Sequence, residues 1–198
     1  MTATKDTTYG TTYRLRTARP EDAEAIVALD GSFTTSTVFE VAVTDGGFAL
    51  REVPVDPPLV KVFPDAFDDD DTDGDGDGDD SGAEGDSRTF VAVGEDGAVA
   101  GFAAVSYAAW NRRLTIEDIE VAPAHRGQGI GRALIGHAAD FGRERGAGHI
   151  WLEVTSVNAP AIHAYRRMGF AFCGLDTSLY QGTASEGEQA LYMSMPCP

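Results

Sequence analysis

A chain of 198 residues, 42% of them hydrophobic, can bury one substantial core, and its length predicts a single domain over 1–198. The polar start Met1-Thr-Ala-Thr-Lys-Asp6 has no signal-peptide core and no apolar run approaches the ~18 residues of a membrane span, so a soluble cytoplasmic protein without membrane association is expected. A net charge of −17 argues against nucleic-acid partners, while Cys173 and Cys197 are too few for a disulfide scaffold and lack metal-ligand spacing, so both read as reduced and structural.

Tyr13–Thr17 reads as a first strand, and Arg19–Leu29 as a helix opened by Pro20 and two acids. Val38–Thr44 and Gly47–Val53 predict a hairpin around Asp45-Gly46, after which Pro54 to Pro64 exits into an acidic stretch. Asp65 to Asp86 holds 12 acidic residues and no basic ones; without it, 15 basic residues face 32 − 12 = 20 acidic ones, a balance of −5. A tract of this composition cannot bury a core, which predicts a disordered insertion at 65–87. Asp69, Asp71, Asp73, Gly74, Asp77 and Asp80 approximate a calcium loop, but neither flank is helical and Gly76 stands where an apolar anchor belongs. Attraction of cationic substrates by the tract is screened beyond ~10 Å. The expectation is therefore a solvated loop suited to a high-salt, halophilic cytoplasm.

Thr89–Gly94 and Val99–Tyr107 form a second predicted hairpin around Glu95-Asp-Gly97, followed across Trp110-Asn-Arg-Arg113 by a strand over Leu114–Val121. The breaker Ala122-Pro123 leads into His125-Arg-Gly-Gln-Gly-Ile-Gly-Arg132. A helix follows, with Leu134, Ala138 and Phe141 on one face and Gly146-Ala-Gly148 as its stop. Ile150–Val154 is a short strand. Asn158–Phe170 contains a helix with Pro160 in its first turn, Tyr165 in its last and Gly169 as its stop, and Gln189–Met195 is a closing strand. The order predicts an α+β fold with a mixed, mostly antiparallel central sheet flanked by helices. No internal repeat is evident.

Glycines 127, 129 and 131 permit a tight turn and bring bare N–H groups, at the positive end of a helix, up to a phosphate. A dinucleotide fingerprint starting at Gly127 requires glycine where Arg132 stands, and a Walker loop requires Gly-Lys-Ser/Thr, which is absent. What remains is R-x-x-G-x-G at Arg126, Gly129 and Gly131, which resembles the pyrophosphate-binding motif of the GNAT superfamily of acetyl-CoA-dependent N-acetyltransferases. The block N-x-x-A-x-x-x-Y-x-x-x-G-F from Asn158 to Phe170 resembles that family's second cofactor segment.

The resemblance implies a sheet splayed at the acetyl-CoA cleft beside the 114–121 strand. It implies a cofactor site of Ile119, Val121, Arg126, Gly127, Gln128, Gly129, Ile130, Gly131, Arg132, Asn158, Ala161, Tyr165 and Arg167, with Arg166 a further phosphate candidate. Asn158 would contact the pantetheine arm and Tyr165 would lie near the thioester sulfur.

Asp30-Gly-Ser-Phe-Thr-Thr-Ser36, Phe48–Pro58, Lys61–Pro64, Trp110–Glu120 and Glu188–Met193 are similar to the streptothricin acetyltransferases, over about 13–64 and 88–195. Those enzymes acetylate the β-lysine amine of a streptothricin antibiotic and confer resistance. A polyamine, an aminoglycoside or a protein amino terminus are the other acceptors considered, and a non-catalytic acyl-CoA-binding module is the reading from another class. The family prior for oligomeric state is a homodimer.

Amine acetylation needs a base for the ammonium, a donor to the forming oxyanion and a proton for the leaving thiolate. By resemblance the N–H of Val121 or its neighbour is the oxyanion donor and Tyr165 the acid. Strand alternation places Ile119 and Val121 on one face and Asp118 and Glu120 on the other. Glu120 is the first candidate base, with Asp118 and Glu117 next because a bulge can shift register. Each can alternatively anchor the substrate ammonium, a role also assigned to Glu153 and Trp110. His125, His137, His149 and His163 have no metal-cluster spacing and no catalytic role is assigned to them; no metal is expected.

Overall fold

The structure, a computed structural model, describes residues 7–9, 13–62 and 86–197. The acidic insertion therefore lies, up to residue 85, outside the described residues, as does the calcium-loop pattern within it. In chain order the elements are β1 (Thr7–Tyr9), β2 (Tyr13–Thr17), α1 (Ala23–Val27), β3 (Phe33–Thr44), β4 (Gly47–Lys61), β5 (Ser87–Val93), β6 (Val99–Ala108), β7 (Arg113–Val121), α2 (Ile130–Glu144), β8 (His149–Thr155), α3 (Ala159–Met168), β9 (Ala171–Asp176) and β10 (Ala190–Pro196). No helix among the described residues is long and apolar enough to cross a membrane.

These residues group into two compact units, one made of segments up to 31, 86–150 and 197, the other of 32–62 and 151–196. In the first, the strand order is β1-β2-β5-β6-β7, and each neighbouring pair is antiparallel. Helix α2 packs on one face through buried Leu134, Ala138 and Phe141, the three positions that the periodicity picked out. The approach is close at Gly142, where an added Cβ would lie 3.0 Å from Leu114 Cδ2 and 3.2 Å from Ala147 Cβ. The opposite face carries a smaller cluster, Val91, Val93 and Phe102, against which Ile26 and Leu29 pack from α1 and its exit.

The first helix is shorter than the expected Arg19–Leu29. Pro20–Asp22 is a 3-10 turn and α1 adds only five residues. The cause is Asp22, whose two oxygens accept from the Arg16 guanidinium at 2.6 and 2.8 Å and whose Oδ2 also accepts from Arg19 N–H at 2.7 Å. Those bonds tie the turn to β2, and the Arg16 guanidinium lowers the buried Asp22 carboxyl to about 2.

In the second unit β8, β10 and β9 lie side by side in that order, and β3 and β4 form a separate two-stranded ribbon. The segment from Pro54 is not the expected exit loop: β4 runs on to Lys61. Pairing jumps from Thr37↔Pro54 to Thr35↔Leu59, so Val55–Pro58 bulge opposite Ser36. A two-stranded ribbon leaves one side of each strand without ladder bonds, which is where proline's missing N–H is tolerated. Strands β1 and β9 were not expected from the sequence; β9 pairs antiparallel with β10 and carries a bulge at Cys173.

Candidate functional site

In the first unit, β7 ends at Val121 and Pro123–His125 forms a 3-10 turn before the glycine loop. Gly127 and Gly129 have φ of 76° and 85°, the left-handed region where a side chain is strained. Gly129 is the N-cap of α2 and supplies no side-chain cap, and the first turn of this fifteen-residue helix has no acid. The first-turn N–H groups and the positive end of the helix dipole thus suit a bound pyrophosphate.

The loop is held from β2. The Tyr13 hydroxyl donates to Gln128 Oε1 at 2.9 Å, and its contact with His125 Nδ1 at 2.8 Å therefore uses an Nδ1–H donor on the imidazole. No local pattern hints at this tie, because Tyr13 and Gln128 are 115 positions apart. Arg126 turns back toward the strand end: its Nε donates to the Val121 carbonyl at 2.8 Å and its Nη2 to the Asp30 carbonyl at 3.4 Å.

The carboxylates of β7 share one face. Register pairs Glu120 with Phe102 and Asp118 with Ala104, and pairs Ile119 and Val121 with Ala103 and Gly101 on the other face. Between Ile116 and Asp118 the pairing skips Glu117, a bulge, and the Ser106 hydroxyl donates to Glu117 Oε1. Ser106 is on the Phe102/Ala104 face, so the bulge adds Glu117 to the side carrying Asp118 and Glu120.

Ala122 N–H donates to the Ala100 carbonyl at 3.0 Å. Antiparallel ladders alternate, so the backbone groups of the preceding residue, Val121, point away from β6, consistent with Arg126 reaching the Val121 carbonyl. The Val121 N–H points the same way.

Burial, the nearby negative charges of Asp118 and Asp30, and only partial relief from Arg126 push the Glu120 carboxyl up to about 7. Burial also raises Asp118, against the hydrogen bond it accepts from Ile119 N–H. A carboxyl near 7 is a base poised for work at neutral pH. Its position depends on Gly31: a Cβ there would lie 2.4 Å from Glu120 Oε1 and 2.7 Å from its Cδ. Trp110 sits on the turn between β6 and β7 and is 86% exposed.

In the second unit, Asn158 caps α3 by accepting Ala161 N–H at 3.1 Å, which fixes the orientation of its side-chain amide. Tyr165 lies in the last turn of α3, its ring 5.7 Å from that of Phe170, and Gly169 closes the helix with φ of 106°. Arg166 and Arg167 follow it on the exposed side. His163 Nε2 meets Glu52 Oε1 at 2.9 Å, and with the Thr37 hydroxyl lowers that carboxyl. Glu153, on β8, accepts from the Tyr180 hydroxyl, and burial raises it.

The profile of the acetyltransferase (GNAT) family matches residues 53–170. The chain is 78% identical over 195 residues to the streptothricin acetyltransferase of Streptomyces lavendulae, which spans 97% of this chain and 99% of that protein. A crystal structure of nourseothricin acetyltransferase, 69% identical, covers 95% of the chain and 100% of its own with a TM-score of 0.84. A Bacillus anthracis protein solved in complex with acetyl coenzyme A, 22% identical, shares the fold with a TM-score of 0.73 over 95% of this chain and 99% of its own.

Proposed function

Because the chain belongs to the acetyltransferase (GNAT) family, we propose that the amine it acetylates is the β-lysine amine of a streptothricin-type antibiotic, so that the reaction inactivates the drug. The chain is an N-acetyltransferase of GNAT fold, and acetyl-CoA is its cosubstrate. The observation that carries the choice of acceptor is the 78% identity to the Streptomyces lavendulae enzyme across nearly the full length of both chains.

When bound, acetyl-CoA supplies an acyl thioester. In this reading Arg126 to Arg132, with Asn158, Ala161, Arg166 and Arg167, hold the cofactor, Ile119 and Val121 lend it backbone groups, and Glu117, Asp118, Glu153 and Trp110 contact the acceptor. Glu120 takes the ammonium proton, directly or through water; its carboxyl at about 7 supports that role at neutral pH. The amine nitrogen bonds to the acetyl carbon, and the outward-pointing Val121 N–H stabilises the oxygen on which charge develops. The carbon–sulfur bond then breaks, Tyr165 gives its proton to the departing thiolate, and the second amine proton, shed as the neutral amide forms, returns the Tyr165 phenolate to phenol. Transfer is direct, within a ternary complex, in a cytoplasmic homodimer.

The test is product identification. Incubation with acetyl-CoA and streptothricin should give a singly acetylated antibiotic carrying the new amide on its β-lysine amine. Modification elsewhere, or none, would overturn the proposal.

A further inference from the structure

A loop that receives a pyrophosphate must leave its N–H groups unspent, and from Gly127 to Gly129 no N–H finds a backbone acceptor among the described residues. The turn before it is closed by His125 N–H to the Ala122 carbonyl at 2.9 Å and by Arg126 N–H to the Pro123 carbonyl at 3.3 Å. Backbone bonding resumes with Ala133 N–H on the Gly129 carbonyl at 3.0 Å. Between those points lie two glycines in left-handed conformations, the residue type that loses most freedom on being ordered. Their order has to come from the side chain between them, Gln128.

The Gln128 amide is tied through both of its polar atoms. Nε2 donates to the Ala124 carbonyl at 3.3 Å, and Oε1 accepts from the Tyr13 hydroxyl at 2.9 Å. The same hydroxyl accepts from His125 Nδ1–H at 2.8 Å, and the two rings meet edge to face with centroids 5.7 Å apart. One buried phenol on β2 thus holds the chain at 125 and at 128, on either side of Gly127, and all of these residues belong to the first unit. Gln128 is exposed and His125 half-buried, so removing the hydroxyl leaves both partners within reach of water. The loop would lose its anchor while the core keeps a packed ring.

We propose that Tyr13 is a positioning residue for cofactor binding: through His125 and Gln128 it holds the Gly127–Gly129 turn, before any ligand arrives, in the shape that receives the pyrophosphate. The freedom of the two glycines is then given up on folding and not on binding, which strengthens affinity for acetyl-CoA. A side chain acting in this way needs no contact with the cofactor. The inference rests on the pyrophosphate lying at this loop and is independent of which amine is the acceptor.

The experiment is calorimetric titration of CoA into the full-length chain, Tyr13→Phe, Gln128→Ala and the double variant. NMR relaxation of the unliganded proteins reports order at Gly127 and Gly129, and thermal melts check the fold. Expected is CoA affinity about fivefold to tenfold weaker in Tyr13→Phe, melting within a few degrees of the parent, and lower order parameters at both glycines that recover when CoA binds. Gln128→Ala, at an exposed position, should weaken CoA comparably and carries the test should Tyr13→Phe not fold. The loss in the double variant should fall short of the product of the single losses, because both changes cut one bond. In turnover the loss from Tyr13→Phe should fall on the KM for acetyl-CoA and leave kcat within about twofold. Parental CoA affinity in folded Tyr13→Phe, losses that multiply in the double variant, or a fall in kcat equal to that in kcat/KM would overturn the role. Gly131→Ala separates the two ideas. If it weakens CoA and Tyr13→Phe does not, the anchor alone fails; if neither does, the pyrophosphate lies elsewhere and both fall.

Discussion

Glu120→Gln exchanges a carboxyl held at about 7 for a neutral amide of nearly the same shape, so its effects on stability and on rate can be separated. In an unfolded chain this carboxyl ionises near 4.5; the fold therefore binds the proton more tightly, and stability falls as pH rises from 4.5 to about 7. Below 4.5 both states are protonated and the group costs nothing. Above 7 both are ionised, and the full penalty is ~3 kcal/mol at 1.36 kcal/mol per pH unit. Glu120 is only partly shielded from water, so roughly half of that is expected, ~1.5 kcal/mol. Thermal melts should then show Glu120→Gln more stable than the parent by about 3–6 °C at pH 8 and indistinguishable at pH 4. In the same protein kcat should fall by ~10²–10⁴, and the parent's rise in rate through an apparent value near 7 should vanish. A variant no more stable at pH 8 than at pH 4 relative to the parent, or one that keeps its rate, would refute the assignment of Glu120 as a base held at a cost to the fold.

Gly31→Ala places a methyl where the Glu120 carboxylate lies, and the mobile end of that side chain is what must yield, so kcat should drop about tenfold or more and the pH profile should shift, while melting changes little; an unchanged profile would dismiss Gly31 as a positioning residue. Tyr165→Phe removes only a hydroxyl and should lower kcat far more than acetyl-CoA affinity, by ~10²-fold or more; parallel losses would remove its role as the acid. Gly131→Ala meets nothing closer than Val121 Cγ2 at 3.9 Å, and alanine favours a helix, so stability should hold while acetyl-CoA affinity falls about tenfold from crowding at the phosphate. Unchanged affinity would mislocate the pyrophosphate.

The parts of the site that a local pattern governs were legible. Gly127 and Gly129 had to be glycine for backbone reasons, and the left-handed conformations at both positions bear that out. The period-two placement of Asp118 and Glu120 survived because the pairing between Ile119 and Val121 is regular. Glu117 joined them through a bulge whose position no local residue announces. Nonlocal ties were invisible: Tyr13 beneath the glycine loop and Gly31 against Glu120 depend on chain segments brought together by folding. Prolines at 54, 57 and 58 argued for a loop, and only the two-stranded setting of β4 permits them. In β9 the short run Ala171–Asp176, weakened by Gly174, carried too little alternation to read as a strand, though that glycine is what admits the Tyr192 ring.

The central claim is tested most directly by the release of CoA thiol from acetyl-CoA with streptothricin as acceptor, followed at low and high salt beside a panel of other amines that includes a polyamine and an aminoglycoside. The account predicts rapid, saturable release with streptothricin and much slower release with the others. Turnover favouring a different amine, or silence with streptothricin while acetyl-CoA still binds, would contradict it.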